Sequence, residues 1–231
     1  MNKNIIITGA SSGIGKSTLE LLLKKGYNVT AVSRNISKLK MENTPQLLLV
    51  SADVTDYKKA KSVIQKSIDK FGSIDVLINN AGLGYFDNLE EGSIDQWHQM
   101  VDVNVKGVLN YIHASLSGLI INKGHIINIG SVASHLVFPS SGVYCATKHA
   151  VFAISESIRM DLKGKVKVTT ISPGQVDTNF INITTNEEIK NNLKGVFEAG
   201  LRPETIAENI LYAIESPAVI SEIIVRPNLF D

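Results

Sequence analysis

The sequence has little of what several classes of protein require. Its single cysteine, Cys145, cannot form an internal disulfide, which fits a reducing compartment. No apolar stretch approaches the roughly 18 residues of a membrane span, and the N-terminus lacks the apolar region of a secretory signal. A net charge of +1 gives no electrostatic footprint for nucleic acid or an anionic membrane. These absences predict a cytoplasmic protein that binds neither nucleic acid nor membrane.

The chain does contain short apolar runs that alternate with longer helical patterns. Continuous apolar runs are typical of strands buried on both faces, and strand–helix–strand alternation predicts an α/β fold with a doubly wound, Rossmann-like parallel sheet. One domain is expected over residues 1–231, because no linker divides the chain. The predicted strands cover residues 5–8, 28–33, 47–50, 76–78, 125–129, 166–171 and 223–225, and the predicted helices about 13–25, 57–71, 94–120 and 143–162.

A glycine-rich turn follows the first predicted strand. Glycines let the backbone turn sharply and approach a pyrophosphate, and the next helix offers free N–H groups and a partial positive charge. The spacing Gly-x-x-x-Gly-x-Gly differs from the commoner dinucleotide fingerprint, Gly-x-Gly-x-x-Gly. The residues of this turn expected to bind a cofactor are Gly9, Ser11, Ser12, Gly13, Ile14 and Gly15.

The end of the second predicted strand indicates which dinucleotide is bound. Many dinucleotide folds place an acidic residue there to hold the ribose 2′-hydroxyl, whereas this chain has Ser33 and Arg34. A hydroxyl and a guanidinium would bind a 2′-phosphate through charge-assisted hydrogen bonds, and a carboxylate would repel it. NADPH is therefore expected to be preferred over NADH, although Arg34 could instead stabilise only a surface turn.

Tyr144 and Lys148 are four residues apart on a predicted helix, so they share one face. Chance alone produces such a pair about as often as not in a chain with six tyrosines, and Tyr57 and Lys61 form a second one. That second pair lies in a lysine-rich helix and is interpreted as a solvated face. Ser131, in contrast, follows a strand directly and can return to Tyr144 through the loop between them. The ammonium of Lys148 is expected to lower the phenol pKa towards the neutral range. Its remaining donors could hold ribose hydroxyls of the cofactor, so Tyr144 and Lys148 are expected to bind the cofactor as well.

Further short motifs lie at the ends of other predicted elements. They are Asp53-Val54, Asn79-Asn80-Ala81-Gly82, Asn104 in Asn-Val-Lys-Gly, and Pro173-Gly174. Together with the glycine turn, Ser131 and the Tyr144–Lys148 pair, they make the chain resemble a short-chain dehydrogenase/reductase of the compact, single-domain type. The resemblance covers essentially the whole chain, with seven motifs in the family's order.

The resemblance implies reversible hydride transfer between a nicotinamide and a carbonyl or alcohol substrate. It implies a catalytic triad of Ser131, Tyr144 and Lys148, extended by Asn104, which would hold a water in a proton relay to Lys148. The remaining residues would contact the cofactor: Asp53 and Val54 at the adenine, Asn80, Ala81 and Gly82 along the cleft, Pro173 and Gly174 beyond them, and Val176 and Thr178 at the nicotinamide. It also implies a homodimer or homotetramer built from the two long helices.

Other functions stay open at this point. A cofactor-binding sensor without turnover would not need the complete set of catalytic residues, and a sugar-nucleotide epimerase or dehydratase is usually longer, with a different glycine spacing. The substrate is not identified. The ending Glu222 to Pro227 resembles bacterial relatives that oxidise small 3-hydroxy acids, yet residues 179–192 contain no arginine to pair with a carboxylate.

A polar, Asn-rich stretch over residues 178–202 is expected to form a substrate loop with a short helix. The aromatic and leucine residues that could contact substrate or only anchor loops are Leu83, Tyr85, Leu136, Phe138, Phe180 and Phe197. No metal site is expected, because the five histidines lack a metal-ligand spacing. His135 could face the substrate from its place four residues after Ser131. Cys145 is interpreted as a packed thiol, since helical geometry turns it away from Tyr144.

Overall fold

The computed structural model describes residues 3–228, which build one sheet of seven strands. The strands are β1 (Asn4–Thr8), β2 (Asn28–Ser33), β3 (Leu47–Ser51), β4 (Val76–Asn79), β5 (His125–Ile129), β6 (Lys167–Pro173) and β7 (Glu222–Val225). Their order is β3-β2-β1-β4-β5-β6-β7, and every adjacent pair is parallel. The predicted doubly wound fold is confirmed, with strand ends displaced by at most two residues.

Helices cover both faces of this sheet. They are α1 (Gly13–Lys24), α2 (Tyr57–Phe71), α3 (Ile94–Val101), α4 (Gly107–Ile121), α5 (Gly142–Asp161), α6 (Glu187–Glu198) and α7 (Pro203–Glu215). Because side chains alternate along a strand, Ile5 and Ile7 join one core with α1 and α7, while Ile6 joins the opposite core with α2, α4 and α5. This two-sided burial explains the continuous apolar runs. No helix within residues 3–228 is both long enough and apolar enough to cross a membrane.

The helix predicted over residues 94–120 is not regular throughout. Residues Asp102–Lys106 form a π-helical turn between α3 and α4, and the N–H of Gly107 donates to the carbonyl of Asp102. Gly107 packs so closely on the core that a Cβ there would lie 2.7 Å from Val54 Cγ2. The wider turn and the missing side chain together let the helix pass the end of β3. The helical spacing of apolar residues in the sequence did not reveal this π-helical turn.

The helix α7 was not predicted from the sequence. Its signals are a proline at the first helical position, Pro203, an acidic first turn at Glu204, and apolar residues at helical spacing. Ile206 and Ile210 are fully buried in the α1 side of the core. The polar stretch over residues 178–202 predicts a loop, and that expectation did not include the helix that follows it.

Parallel strands bring all their carboxyl ends to one edge of the sheet. Ser33 ends β2, and Gly9, Asp53, Asn80 and Ser131 each lie just beyond a strand at this edge. The strands β1 and β4 are neighbours, and the chain winds away from them in opposite directions. Such a switch point is where doubly wound sheets bind ligands.

Candidate active site

A cleft of about 1110 Å³ runs along the carboxyl edge of the sheet. All the predicted cofactor-binding residues line it except Gly15: Gly9, Ser11, Ser12, Gly13, Ile14, Ser33, Arg34, Asp53, Val54, Asn80, Ala81, Gly82, Tyr144, Lys148, Pro173, Gly174, Val176 and Thr178. Ser131 lines it as well, whereas Asn104 lies buried beside it. The structure therefore gathers residues from eight separate chain segments into one site.

The turn after β1 depends on glycine. Gly9 and Gly13 have φ angles of 66° and 49°, a region that favours glycine. A Cβ on Gly15 would collide with the carbonyl oxygen of Gly9, so this residue packs behind the turn instead of lining the cleft. Asn80 Nδ2 donates to the carbonyls of Thr8 at 2.9 Å and Gly9 at 3.2 Å. The turn thus presents the N-terminus of α1 to the cleft, in the geometry that binds phosphates.

One end of the cleft is polar and open to solvent. Ser11 Oγ and Ser33 Oγ are 2.7 Å apart, and Arg34 Nη1 lies 3.9 Å from Asp53 Oδ2. The Arg34 side chain is 64% exposed, so this ion pair contributes little and leaves the guanidinium available to a ligand. Lys38, which the sequence reasoning missed, also lines this end. We refer to these five residues as the polar end.

The other end contains the three predicted catalytic side chains. Tyr144 and Lys148 lie on α5, where Lys148 Nζ is 5.8 Å from the Tyr144 ring centroid. Lys148 is buried, and its Nζ donates to the carbonyl of Ile129 at 2.8 Å. Ser131 Oγ accepts from the N–H of Ala133 at 3.1 Å, which fixes the hydroxyl beside the end of β5. A phenol, an ammonium and a hydroxyl therefore face one volume.

Burial controls the proton equilibria at this end. Burial raises the pKa of Tyr144 to about 12, while the hydroxyl of Ser131 acts in the opposite direction. Burial also lowers the pKa of Lys148 to about 8. The pKa of Tyr144 is thus raised, opposite to the direction expected from the sequence, and desolvation of the phenolate is the largest cause. Burial thus favours the neutral phenol of Tyr144 and moves the pKa of Lys148 towards neutral pH.

Asn104 lies inside the π-helical turn and is fully enclosed. Its Oδ1 accepts from the N–H of Leu83 at 2.9 Å, and its Nδ2 donates to the carbonyl of Leu83 at 2.8 Å and to Thr147 Oγ1 at 3.0 Å. A Cβ on Gly82 would lie 3.4 Å from Asn104 Oδ1 and 3.7 Å from Lys148 Nζ. The amide therefore fixes the chain after Gly82 to α5, next to the lysine.

An aromatic cluster surrounds the phenol of Tyr144. The ring centroids of Phe86 and Phe180 lie 5.5 and 5.6 Å from that of Tyr144, and Phe197 stacks on Phe180 at 6.5 Å. Phe86 is buried and was missed by the sequence reasoning, although it directly follows Tyr85 in the loop after β4. Of the six loop residues predicted to surround the pocket, all but Leu136 line the cleft. A Cβ on Gly84 would collide with Phe180, so glycine there lets the ring approach.

Three other residues considered from the sequence lie away from the catalytic end of the cleft. His135 Nε2 pairs with Glu222 Oε1 at 2.7 Å, and its ring packs on Phe152 rather than lining the cleft. Cys145 is buried and free, with its Sγ 3.4 Å from Ser141 Oγ. Tyr57 bonds His113 through its hydroxyl on the α2–α4 surface. Within residues 3–228, no group of three or more His, Cys, Asp or Glu could hold a metal ion.

The sequence model described as short chain dehydrogenase matches residues 3–197. The chain belongs to this family. An uncharacterized oxidoreductase from Staphylococcus saprophyticus is 39% identical over 237 residues, which cover 98% of this chain and 96% of that protein. The family and the similar proteins show an oxidoreductase of the dehydrogenase/reductase type.

Solved structures of this family share the fold. An alcohol dehydrogenase from Thermococcus sibiricus, complexed with 5-hydroxy-NADP, has a TM-score of 0.87 at 28% identity and covers 100% of this chain and 99% of its own. Serine dehydrogenase from Escherichia coli has a TM-score of 0.83 at 30% identity, covering 96% and 97%. A Burkholderia phymatum enzyme in complex with NAD has a TM-score of 0.87 at 24% identity, covering 96% and 89%. Among these similar structures, the Thermococcus enzyme is therefore seen with an NADP derivative and the Burkholderia protein with NAD.

Proposed function

We propose that the chain is an NADP(H)-dependent oxidoreductase that interconverts a small carbonyl compound and its alcohol in the cytoplasm. The main support is the convergence of Ser131, Tyr144 and Lys148 at one end of a cleft whose other end has the glycine turn and Arg34. A sensor would need the polar end but no proton donor. No residue of the cleft favours an epimerase or dehydratase over this reaction.

The proposed chemistry assigns one step to each catalytic side chain. Ser131 Oγ and the Tyr144 hydroxyl donate hydrogen bonds to the substrate oxygen. A nicotinamide held along the cleft would supply or accept the hydride. In reduction, Tyr144 gives its proton to the developing alkoxide. The alkoxide is a stronger base than the Tyr144 phenolate, even though the pKa of Tyr144 is raised to about 12. The Lys148 ammonium stabilises the phenolate that remains. Oxidation reverses these transfers.

Asn104 is proposed as a positioning residue rather than a proton carrier. Its amide ties Leu83 and Thr147 together and so fixes α5 against the loop after β4. The other predicted residues are proposed to hold the cofactor along the cleft: Asp53, Val54, Asn80, Ala81, Gly82, Pro173, Gly174, Val176 and Thr178. Residues 178–202 are proposed to close over the substrate.

The preference for NADPH is proposed from the polar end. Arg34 and Lys38 supply two cations, and Ser11 and Ser33 supply hydroxyls, within the stretch of cleft beyond β2. This set matches a 2′-phosphate, which accepts charge-assisted hydrogen bonds. The only carboxylate lining that end, within residues 3–228, is Asp53, and its partner is Arg34.

The proposed activity is tested by NADPH oxidation with a panel of aldehydes and ketones. Turnover of at least one carbonyl that falls in Tyr144→Phe supports the proposal. Tight NADPH binding measured by fluorescence, without turnover of any carbonyl or alcohol, would instead indicate a sensor. The Tyr144→Phe variant should still bind NADPH, because only its hydroxyl is removed.

A homodimer or homotetramer is proposed from exposed apolar residues on the helices beside β5. Val101, Leu109 and Met160 are 38%, 45% and 68% exposed on α3, α4 and α5, whereas Val108 and Val151 are buried against the sheet. Apolar residues left beyond the sheet-facing stripe are typical of a helix surface that meets a partner. Light scattering should give two or four times 25.1 kDa, and a mass near 25.1 kDa would contradict the assembly.

A further inference from the structure

We propose that the substrate is a neutral carbonyl compound with an apolar, ring-bearing substituent, and that carboxylate-bearing substrates are rejected. This inference rests on the proposed function and names the substrate class of the same site. Its basis is the lining of the cleft around Tyr144, which combines an aromatic cluster, one apolar helix face and no cation free to pair with an anion.

The helix α6 presents an apolar face to the cleft. Ile189, Leu193 and Phe197 are four residues apart, so they share one side of the helix, and all three line the cleft. None of them is buried by the protein, since α6 contains no buried residue. An apolar substrate gives this face the contact area that the chain itself does not supply.

Aromatic rings surround the phenol of Tyr144. Phe86, Phe180 and Phe197 have mutual centroid distances of 6.3 to 6.5 Å, and two of them lie within 5.6 Å of Tyr144. Rings at such distances gain from edge-to-face and offset contacts with another ring. A flat apolar substituent on the carbonyl carbon therefore packs against this cluster while its oxygen faces Tyr144.

The end of the cleft around Tyr144 differs from the polar end in its charged side chains. Among the described residues of the cleft lining, the cations are Arg34, Lys38 and Lys148. The first two lie beyond β2, at the polar end, and Lys148 is buried with its Nζ bonded to Ile129 O at 2.8 Å. Arg226 follows β7 near Gly174, but it is exposed and does not line the cleft. A substrate carboxylate would lose water here without gaining a cation.

Polar side chains at this end are mostly engaged with each other. Tyr85 donates to Gln99 Oε1 at 2.8 Å, and Asn182 Nδ2 donates to Asn179 Oδ1 at 2.9 Å. Ser141 Oγ donates to the carbonyl of Phe138 at 2.7 Å. All of these groups are neutral, so none of them supplies a charge that could pair with a carboxylate. The Escherichia coli neighbour is named for serine, whose zwitterion this lining does not suit.

The experiment compares a neutral and an anionic carbonyl compound with the same aryl ketone, methyl 4-acetylbenzoate and 4-acetylbenzoate, with NADPH at saturation. We expect kcat/KM to be at least about 100-fold higher for the ester, because an unpaired carboxylate keeps an uncompensated desolvation cost in the transition state. Serine should give no measurable oxidation with NADP⁺. Turnover of the acid at a rate equal to or above that of the ester would overturn the inference while leaving the proposed function intact.

A gain-of-charge variant gives a second, independent result. Ile183 lines the cleft and is 40% exposed, so Ile183→Arg adds a cation without burying it. The acid should then improve by at least about tenfold relative to the ester, which is the effect expected of one charged pair. The uncharged control Ile183→Gln should leave the ratio unchanged. An unchanged ratio in a folded Ile183→Arg would overturn the inference, and failure of every carbonyl in the wild type would overturn the proposed function itself.

Discussion

The two ends of the cleft differ in how far their side chains are exposed to solvent. The polar end consists of solvent-accessible groups, with the Arg34 and Asp53 side chains 64% and 33% accessible. At the catalytic end Ser131 and Lys148 are buried and Tyr144 is partly buried, and burial there raises the pKa of Tyr144 to about 12 and lowers that of Lys148 to about 8. Water therefore screens the charges of the polar end more than those of the catalytic end.

This difference explains what each end can do. An exposed guanidinium forms or breaks an ion pair at little cost, which suits recognition of a phosphate that must be released after turnover. Enclosed titratable groups respond strongly to neighbours, which suits proton transfer. Substitutions at the catalytic end should therefore change turnover, and those at the polar end should change cofactor affinity.

The largest effect is expected for Tyr144→Phe. The variant removes the proton donor and keeps the ring contacts with Phe86 and Phe180, so kcat should fall by at least about 10²–10⁴-fold. The matched control is Tyr57→Phe, which removes the other phenol of the two Tyr-x-x-x-Lys pairs and should be nearly silent. Steady-state and single-turnover rates provide the measurement. A variant that keeps more than about a tenth of the rate, with chemistry limiting, would remove Tyr144 from the mechanism.

Arg34→Ala should act at the other end and on one cofactor only. Losing a charged hydrogen bond to the 2′-phosphate costs roughly 1.5–3 kcal/mol, or about 10- to 150-fold in NADPH affinity. NADH, which lacks that phosphate, is the internal control and should bind almost unchanged. Lys38→Ala should likewise weaken the binding of NADPH more than that of NADH. Equal weakening of both cofactors, measured by fluorescence titration, would show that the polar end does not distinguish them.

Lys148 should set an alkaline limb in the pH profile of reduction. Its ammonium is present below about pH 8 and is lost as pH rises through that value, so kcat/KM should fall about tenfold for each pH unit above it. Tyr144, with a pKa of about 12, adds no limb in this range. Lys148→Arg keeps its charge throughout, and its residual activity should lack the limb. A limb that persists in Lys148→Arg belongs to another group.

The sequence predicted the positions of the site residues better than their pKa values. Glycines at fixed spacing, an arginine after a strand and a tyrosine–lysine pair on one helix face are local signals, and the structure places Gly9, Arg34 and Tyr144 in the cleft. The pKa values depend on how much of each side chain the fold encloses, which no spacing reveals, and the predicted direction for Tyr144 was wrong. Phe86 and the π-helical turn at Asn104 were missed because both arise from contacts between distant segments.

The smallest effect is expected for Asp53→Asn, which tests whether the polar end is as weakly coupled as its exposure indicates. Asp53 Oδ1 accepts from the N–H and the hydroxyl of Thr55, both at 2.9 Å, and an asparagine oxygen can still accept both. The change removes the partner of Arg34 and a negative charge near the 2′-phosphate. Since exposed pairs contribute roughly 0–1 kcal/mol, NADPH should bind up to about fivefold more tightly and NADH about equally well. Weakening of both cofactors by more than about tenfold in the same titration would mean that Asp53 holds the adenosine itself, and that the polar end depends on a carboxylate rather than on Arg34.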